Sequence, residues 1–124
     1  MSSPAYAVAE YLDDVTSLVI GTSLFVSNEP PKPDACVTVY DTGGNAPIDN
    51  METPVESRLP TIQVRVRNKT YSAAYAQAED ICSKMALLLG QHGIKQASQV
   101  ADILPIGNDE NARILLTINF ELFI

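Results

Sequence analysis

The sequence contains no tryptophan, two cysteines and a single histidine, His92. Histidine is the side chain that most often exchanges protons near neutral pH, so any imidazole-based acid–base pair must use His92. Its position in the last turn of a predicted helix favours an interaction with the helix dipole instead. Cys36 and Cys82 lie far apart in the chain and, with one histidine, provide no zinc-binding spacing. The sequence therefore predicts no metal, no cofactor and no enzyme activity.

Positive charge is also scarce, with eight lysines and arginines against fifteen aspartates and glutamates and a formal net charge of −7. A general nucleic-acid-binding protein needs a basic surface that releases counterions, and this composition argues against one. Acidity by itself identifies no partner, because it also serves solubility.

Long apolar runs are absent too. No run approaches the roughly 18 residues of a membrane span, and the N-terminal stretch MSSPAYAVAEYLDD lacks the basic region of a signal peptide. The sequence thus predicts a protein made in the cytosol, without membrane association, in which both cysteines are buried and reduced.

What is present is the hydrophobic periodicity of one α+β domain over residues 1–124. The predicted elements are a helix of about four turns from Pro4 towards Gly21, strands over 23–28, 35–41 and 61–68, a second helix from Thr70 or Ser72 to Gly90 or Gly93, and a hairpin over 97–124 with its turn at 107–111. This α-β-β-β-α-β-β order predicts a mainly antiparallel sheet with two α-helices packed on one face.

Two strands have the clearest patterns. In TIQVRVRN the residues Ile62, Val64 and Val66 alternate with polar ones, which predicts a half-buried strand. The last strand predicts one apolar face, made of Ile114, Leu116, Ile118, Phe120, Leu122 and Ile124.

The stretch VYDTGGNAPIDN contains the pair Gly43-Gly44. A phosphate-binding P-loop needs a lysine after its last glycine and a helix next, whereas Asn45 and a proline-bearing stretch follow here. The three spaced glycines of a dinucleotide fingerprint are also absent. The pair therefore predicts a turn with positive φ that opens a long loop over residues 42–60.

Three cations, Arg65, Arg67 and Lys69, follow one face of the predicted strand. One interpretation is a solvated outer face. Another is a subunit interface, in which these cations contact the acidic loop of a neighbouring copy. The carboxylates of that loop are Asp41, Asp49, Glu52 and Glu56. Direct contact with DNA is a third and weaker interpretation, because three cations give only salt-sensitive binding.

Three motifs together resemble the tail-terminator or minor-capsid family of tailed bacteriophages. They are CVTVYDTGG, LPTIQVRVRN after a proline-bearing loop, and YSAAYAQAEDICSKMALLL, and the resemblance covers residues 25–93. It implies an α+β structural subunit without catalytic residues. The subunit is expected to form a homo-oligomeric ring, usually of six, in the neck of the virion.

The resemblance also implies partners. The ring is expected to cap the tail tube protein below and to meet the head–tail connector above, and genomic DNA passes through it without specific binding. Assembly is expected in the host cytoplasm. The alternative is a head-completion or adaptor protein on the portal side of the neck.

Overall fold

The computed structural model describes residues 3–49 and 56–124. These residues form two α-helices, one short 3-10 turn (Gln91–Gly93) and a six-stranded sheet. In chain order the helices and strands are α1 (Pro4–Val15), β1 (Leu24–Val26), β2 (Cys36–Asp49), β3 (Glu56–Asn68), α2 (Tyr71–Ala86), β4 (Gln96–Gln99), β5 (Leu104–Asn108) and β6 (Ile114–Phe123). The predicted α+β class is confirmed, and β4 is a strand that the sequence did not predict.

The sheet has the order β1-β2-β3-β6-β4, and β5 also pairs with β6. Only β1 and β2 run parallel, whereas the other pairs are antiparallel. β3 occupies one side of β6, so β4 and β5 share the other side: β4 lies opposite residues 120–123 and β5 opposite residues 114–117. Together they form one interrupted edge of the sheet.

The core lies between one face of the sheet and the two helices. Ile62, Val64 and Val66 of β3 are fully buried, as their alternation predicts. The last strand also behaves as predicted: Leu116, Ile118, Phe120 and Leu122 are buried, and Ile114 and Ile124 pack against the same cluster. The helices complete this cluster with apolar residues that recur every three or four positions, namely Val8 and Leu12 of α1 and Ala74, Ala78, Ile81 and Met85 of α2.

α1 starts as predicted, because Pro4 follows the N-cap Ser3, whose hydroxyl accepts from the Tyr6 N–H at 3.2 Å. The helix ends at Val15, so the prediction of about four turns towards Gly21 was wrong. Thr16 is extended. Its backbone N–H still donates to the Leu12 carbonyl at 3.0 Å, and its hydroxyl donates to the same oxygen. A side-chain bond of this kind competes with helical geometry.

α2 is capped by Thr70, whose hydroxyl accepts from the Ala73 N–H at 3.3 Å. The helix ends at Ala86, earlier than the predicted glycines, and Gly90 then takes a left-handed conformation with φ 78°. Because the chain leaves the helix before Leu89, this residue is exposed and takes no part in the buried face of α2.

The predicted loop over residues 42–60 is the largest difference. β2 continues through Asp49 and β3 begins at Glu56, so most of this segment is antiparallel strand. Gly43 has a φ of 92° and lies at a β-bulge between Asp41 and Gly43, which is the positive φ that the sequence predicts, used within a strand. We call the strand residues 42–49 and 56–60 the ribbon.

Candidate functional site

The predicted cations lie on the sheet face opposite the helices, where residues 29–34 form a segment that we call the proline loop. Arg67 is only 2% exposed. Its Nη2 donates to the Pro33 carbonyl at 2.6 Å, and its Nη1 lies 3.5 Å from Glu29 Oε1. The solvated-face interpretation is therefore wrong for Arg67, which fixes the proline loop to the sheet.

The other two cations are more accessible. Arg65 Nη1 lies 3.9 Å from the same Glu29 oxygen, its guanidinium stands 5.4 Å from the centre of the Tyr40 ring, and its side chain is 31% exposed. Lys69 Nζ lies 3.3 Å from Asp34 Oδ2, and its side chain is 72% exposed. Each predicted cation thus has an acidic partner within its own chain, and Lys69 remains the one most open to solvent of the three.

A fourth cation, Arg113, joins this group, and the sequence analysis missed it. Its Nη1 donates to the Pro31 carbonyl at 2.6 Å, and its Nε donates to Asp109 Oδ2 at 2.7 Å. The spacing of four residues between Asp109 and Arg113 across the last turn was the available signal in the sequence. Arg67 on β3 and Arg113, immediately before β6, therefore both hold the proline loop.

Asp109 organises the turn between β5 and β6. Its Oδ1 accepts from the backbone N–H groups of Asn111 at 3.0 Å and Arg113 at 2.9 Å. Desolvation acts to raise the pKa of this carboxyl, but the hydrogen bonds from Arg113 and Asn111 outweigh it, and the pKa lies below its usual value. The charged form of Asp109 is thus the one that the turn stabilises.

The four carboxylates predicted to contact the cations of a neighbouring copy do not share one location. Asp41 is exposed, and its Oδ1 accepts from the Ala5 N–H at 3.0 Å, so it satisfies a free donor at the start of α1. Asp49 and Glu56 end β2 and begin β3, on the ribbon. Glu52 lies outside the described residues. The interface between these carboxylates and the cations stays a prediction.

The two edges of the sheet differ in accessibility. β1 has three residues and is followed by Ser27, with φ 63°, and by the proline loop, features that limit pairing with another chain. β5 is exposed along its whole length, and its apolar side chains Leu104 and Ile106 are 55% and 43% exposed. Pro105 and the bulge between Pro105 and Gly107 limit backbone pairing at β5, but its exposed apolar side chains still form a patch that a partner can cover.

His92 does not lie in the last turn of α2, as predicted, but in the 3-10 turn that follows it, with a left-handed φ of 53°. Its Nε2 lies 2.7 Å from Asp14 Oδ2, and its ring meets Tyr11 edge-on at 6.3 Å. His92 therefore connects this turn to α1, and the predicted role at the helix dipole is wrong.

Both cysteines are free thiols. Cys36 is buried, whereas Cys82 is half-buried instead of fully buried as predicted. Burial raises the pKa of both thiols, which keeps them protonated and poorly nucleophilic.

Across residues 3–49 and 56–124, no group of three or more His, Cys, Asp or Glu side chains is arranged to hold a metal ion. In the same part of the chain, neither helix has the length and apolar character that a membrane span requires.

These features define a small α+β subunit whose charged groups fix its own loops and whose sheet carries an exposed apolar edge. The family model described as bacteriophage tail terminator protein matches residues 11–124. The chain therefore belongs to the bacteriophage tail terminator family and is a structural component of the phage tail, as the sequence motifs indicate. A search of curated proteins finds no match.

Proposed function

We propose that this protein forms a ring on the finished tail tube, ends tail growth there, and offers its upper face to the head–tail connector. The observation that carries the proposal is the family match over residues 11–124. A tail tube is a stack of like rings, and each exposed ring end is a template for the next, so the stack does not close by itself. A terminator covers the last ring with one face and presents a different face to the head.

The test is a deletion of the gene, followed by electron microscopy of the lysates. We expect tails of uncontrolled length together with DNA-filled heads that have no tails, and both defects should disappear when the wild-type protein is supplied. Normal-length tails and heads that leak DNA would favour a head-completion role on the portal side instead. Normal infectious particles would contradict both structural roles.

The proposed ring, with six copies as the family resemblance implies, lets DNA pass through without binding it. Six copies at −7 carry a net charge of −42, since 6 × −7 = −42. If acidic loops line the opening, their negative charge repels the phosphate backbone and discourages binding during ejection. The isolated protein should not shift double-stranded DNA in a gel near physiological salt, and tight binding under those conditions would contradict this part of the proposal.

The proposal includes the predicted contact between the cations of one copy and the acidic residues of its neighbour, but with fewer residues than the sequence predicts. Arg67 is committed to the proline loop and acts within the subunit, whereas Lys69 is exposed and has only a surface ion pair. The carboxylates Asp49 and Glu56 belong to the ribbon. Lys69 is therefore the member of the predicted set best placed to meet a neighbour's ribbon.

A further inference from the structure

The ribbon lacks a partner within the described part of the chain. β1 pairs with β2 only at residues 37–39, and β6 pairs with β3 only at residues 61–68. Beyond these residues the two strands of the ribbon pair only with each other. The eight residues 42–49 extend this pair by about 26 Å, at roughly 3.3 Å per residue. The subunit covers the base of the ribbon, where Pro60 is buried and Leu59 half-buried. A two-stranded pair with no third strand is marginally stable in water, which favours a partner for the rest of the ribbon.

That partner is not β5 of the same chain. The ribbon leaves the sheet at the end where Thr61 lies opposite Glu121. β5 lies at the other end, where Asn108 is opposite Ile114 and Ile114 is opposite Asn68. The ribbon and β5 therefore lie at opposite ends of the sheet, and the ribbon does not pair with β5 of its own chain.

The end that carries β5 has the chemistry to receive the ribbon. Leu104 lies opposite Thr117 and Thr117 opposite Arg65, which places Leu104 on the face that carries the proline loop. The same end of the sheet carries the exposed cations Lys69 and Lys32, beside the carboxylates Asp34 and Glu110. In the sequence, the ribbon combines the apolar residues Ile48 and Leu59 with two carboxylates, Asp49 and Glu56, and one cation, Arg58. Its net charge is therefore −1, opposite in sign to the two lysines, and its apolar residues match β5 in type.

We propose that the ribbon of one copy docks on β5 of a neighbouring copy, with Leu104 and Ile106 as the apolar contact and Lys69 and Lys32 as its charged rim. This inference rests on the proposed ring and names the contact that builds it. Pro105 and the bulge between Pro105 and Gly107 interrupt the outer edge of β5, so side-chain packing contributes more here than a continuous backbone ladder.

The contact uses two different surfaces, one from each end of the subunit. A contact of this type is heterologous, and repeated copies of it close into a ring when the rotation between subunits permits. It also explains how the exposed edge at β5 is protected from non-specific pairing, because the neighbour covers it in the assembly.

The experiment uses two variants and one control of the full chain. The edge variant carries Leu104→Lys and Ile106→Lys, and the ribbon variant has residues 45–59 replaced by Asn-Gly, which closes the shortened pair with a tight turn. The control is Ser98→Lys, which adds a charge to an exposed polar position of β4 on the same edge of the sheet. Circular dichroism and urea unfolding establish that each variant keeps the folded subunit.

Native mass spectrometry and sedimentation then measure association. The wild type and the Ser98→Lys control should form the same ring, whereas each of the other two variants alone should be monomeric. Removal of two buried aliphatic contacts weakens association by roughly 100-fold or more. A mixture should give a heterodimer and nothing larger, because the ribbon of the edge variant still fits β5 of the ribbon variant and no second contact remains.

Several results would overturn the inference: an edge variant that forms the wild-type ring, an edge variant that dimerises alone through paired ribbons, or a mixture that stays monomeric. A wild-type protein that stays monomeric, with no heterodimer in the mixture, would overturn it as well. The tail-length defect of the gene deletion is measured separately, so failure of this contact and failure of the terminator function are distinguishable.

Discussion

The two faces of the sheet are covered in different ways. On one face, α1 and α2 bury a continuous apolar layer that includes Ile118 and Phe120. On the other face, the proline loop is held by hydrogen bonds and ion pairs from Arg67 and Arg113, and Glu29 of the loop pairs with Arg67 of β3. The helices are held by buried apolar area and close packing, whereas the proline loop is held by the positions of a few charged atoms.

This difference has consequences for stability. Apolar packing responds little to pH or salt, whereas a buried charged pair is costly to break because the remaining partner is left without compensation. Substitutions on the two faces should therefore differ in their dependence on conditions as well as in size.

The largest effect is expected in the apolar layer. Phe120 is 1% exposed, and Phe120→Ala should lower the free energy of unfolding by about 3–5 kcal/mol because it removes buried area and leaves a cavity. Phe123→Ala is the matched control, since Phe123 lies three residues further along β6 and is exposed. Urea unfolding at pH 7 measures both. Equal losses for the two variants would contradict the assignment of the core to one face.

The charged face should give the next largest effect. Arg67→Met keeps the buried stem but leaves the Pro33 carbonyl without its donor and removes the nearer of the two cations beside Glu29, and we expect a loss of about 3 kcal/mol. Arg65→Met removes a cation from the same strand and the same acidic partner at a half-buried position, so it should cost only about 0–1 kcal/mol. A loss for Arg65→Met as large as that for Arg67→Met would show that burial does not separate the two arginines.

A smaller effect appears as acid sensitivity. The folded pKa of Asp109 lies below its usual value, so its contribution is present above about pH 4 and is lost as the pH falls through the folded pKa. Asp109→Asn should therefore be less stable than the wild type at pH 7, and the difference should shrink at pH 3. Urea midpoints at the two pH values measure this. If the difference in stability between Asp109→Asn and the wild type were the same at both pH values, the charge of Asp109 would not contribute to the turn.

The fold was predicted correctly from the sequence wherever a residue pattern is compatible with only one structure. The alternation around Val64 and the apolar repeat of the last strand each match a single buried face, and both predictions were confirmed. The end of α1 was missed because apolar residues continue beyond Val15, at Leu18 and Val19, and their spacing does not reveal that Thr16 takes an extended conformation. The ribbon was missed because glycines and prolines around the bulges are also typical of loops.

For the candidate site, the sequence grouped Arg65, Arg67 and Lys69 correctly on one face but did not distinguish their burial. The proline loop decides this, because its carbonyls meet Arg67 and not Lys69, and prolines in a sequence do not show where a loop folds back. Asp41 was assigned to the acidic loop although it binds the start of α1, a contact over 36 residues that no local pattern predicts.

The smallest effect on the subunit is expected at Lys69, and it distinguishes folding from assembly. Its ion pair with Asp34 is exposed, so Lys69→Glu should change the free energy of unfolding by no more than about 1 kcal/mol. If Lys69 meets the neighbour's carboxylates, the same reversal adds repulsion at the contact and should weaken the ring most at low salt, because added salt screens exposed charges. Lys95→Glu is the control, since it makes the same reversal at an exposed position beside β4, at the other end of the sheet. Native mass spectrometry at low and high salt should show a smaller fraction of rings for Lys69→Glu than for Lys95→Glu, with the difference reduced at high salt. Equal ring fractions for the two reversals would remove Lys69 from the interface and leave it as a solvated partner of Asp34.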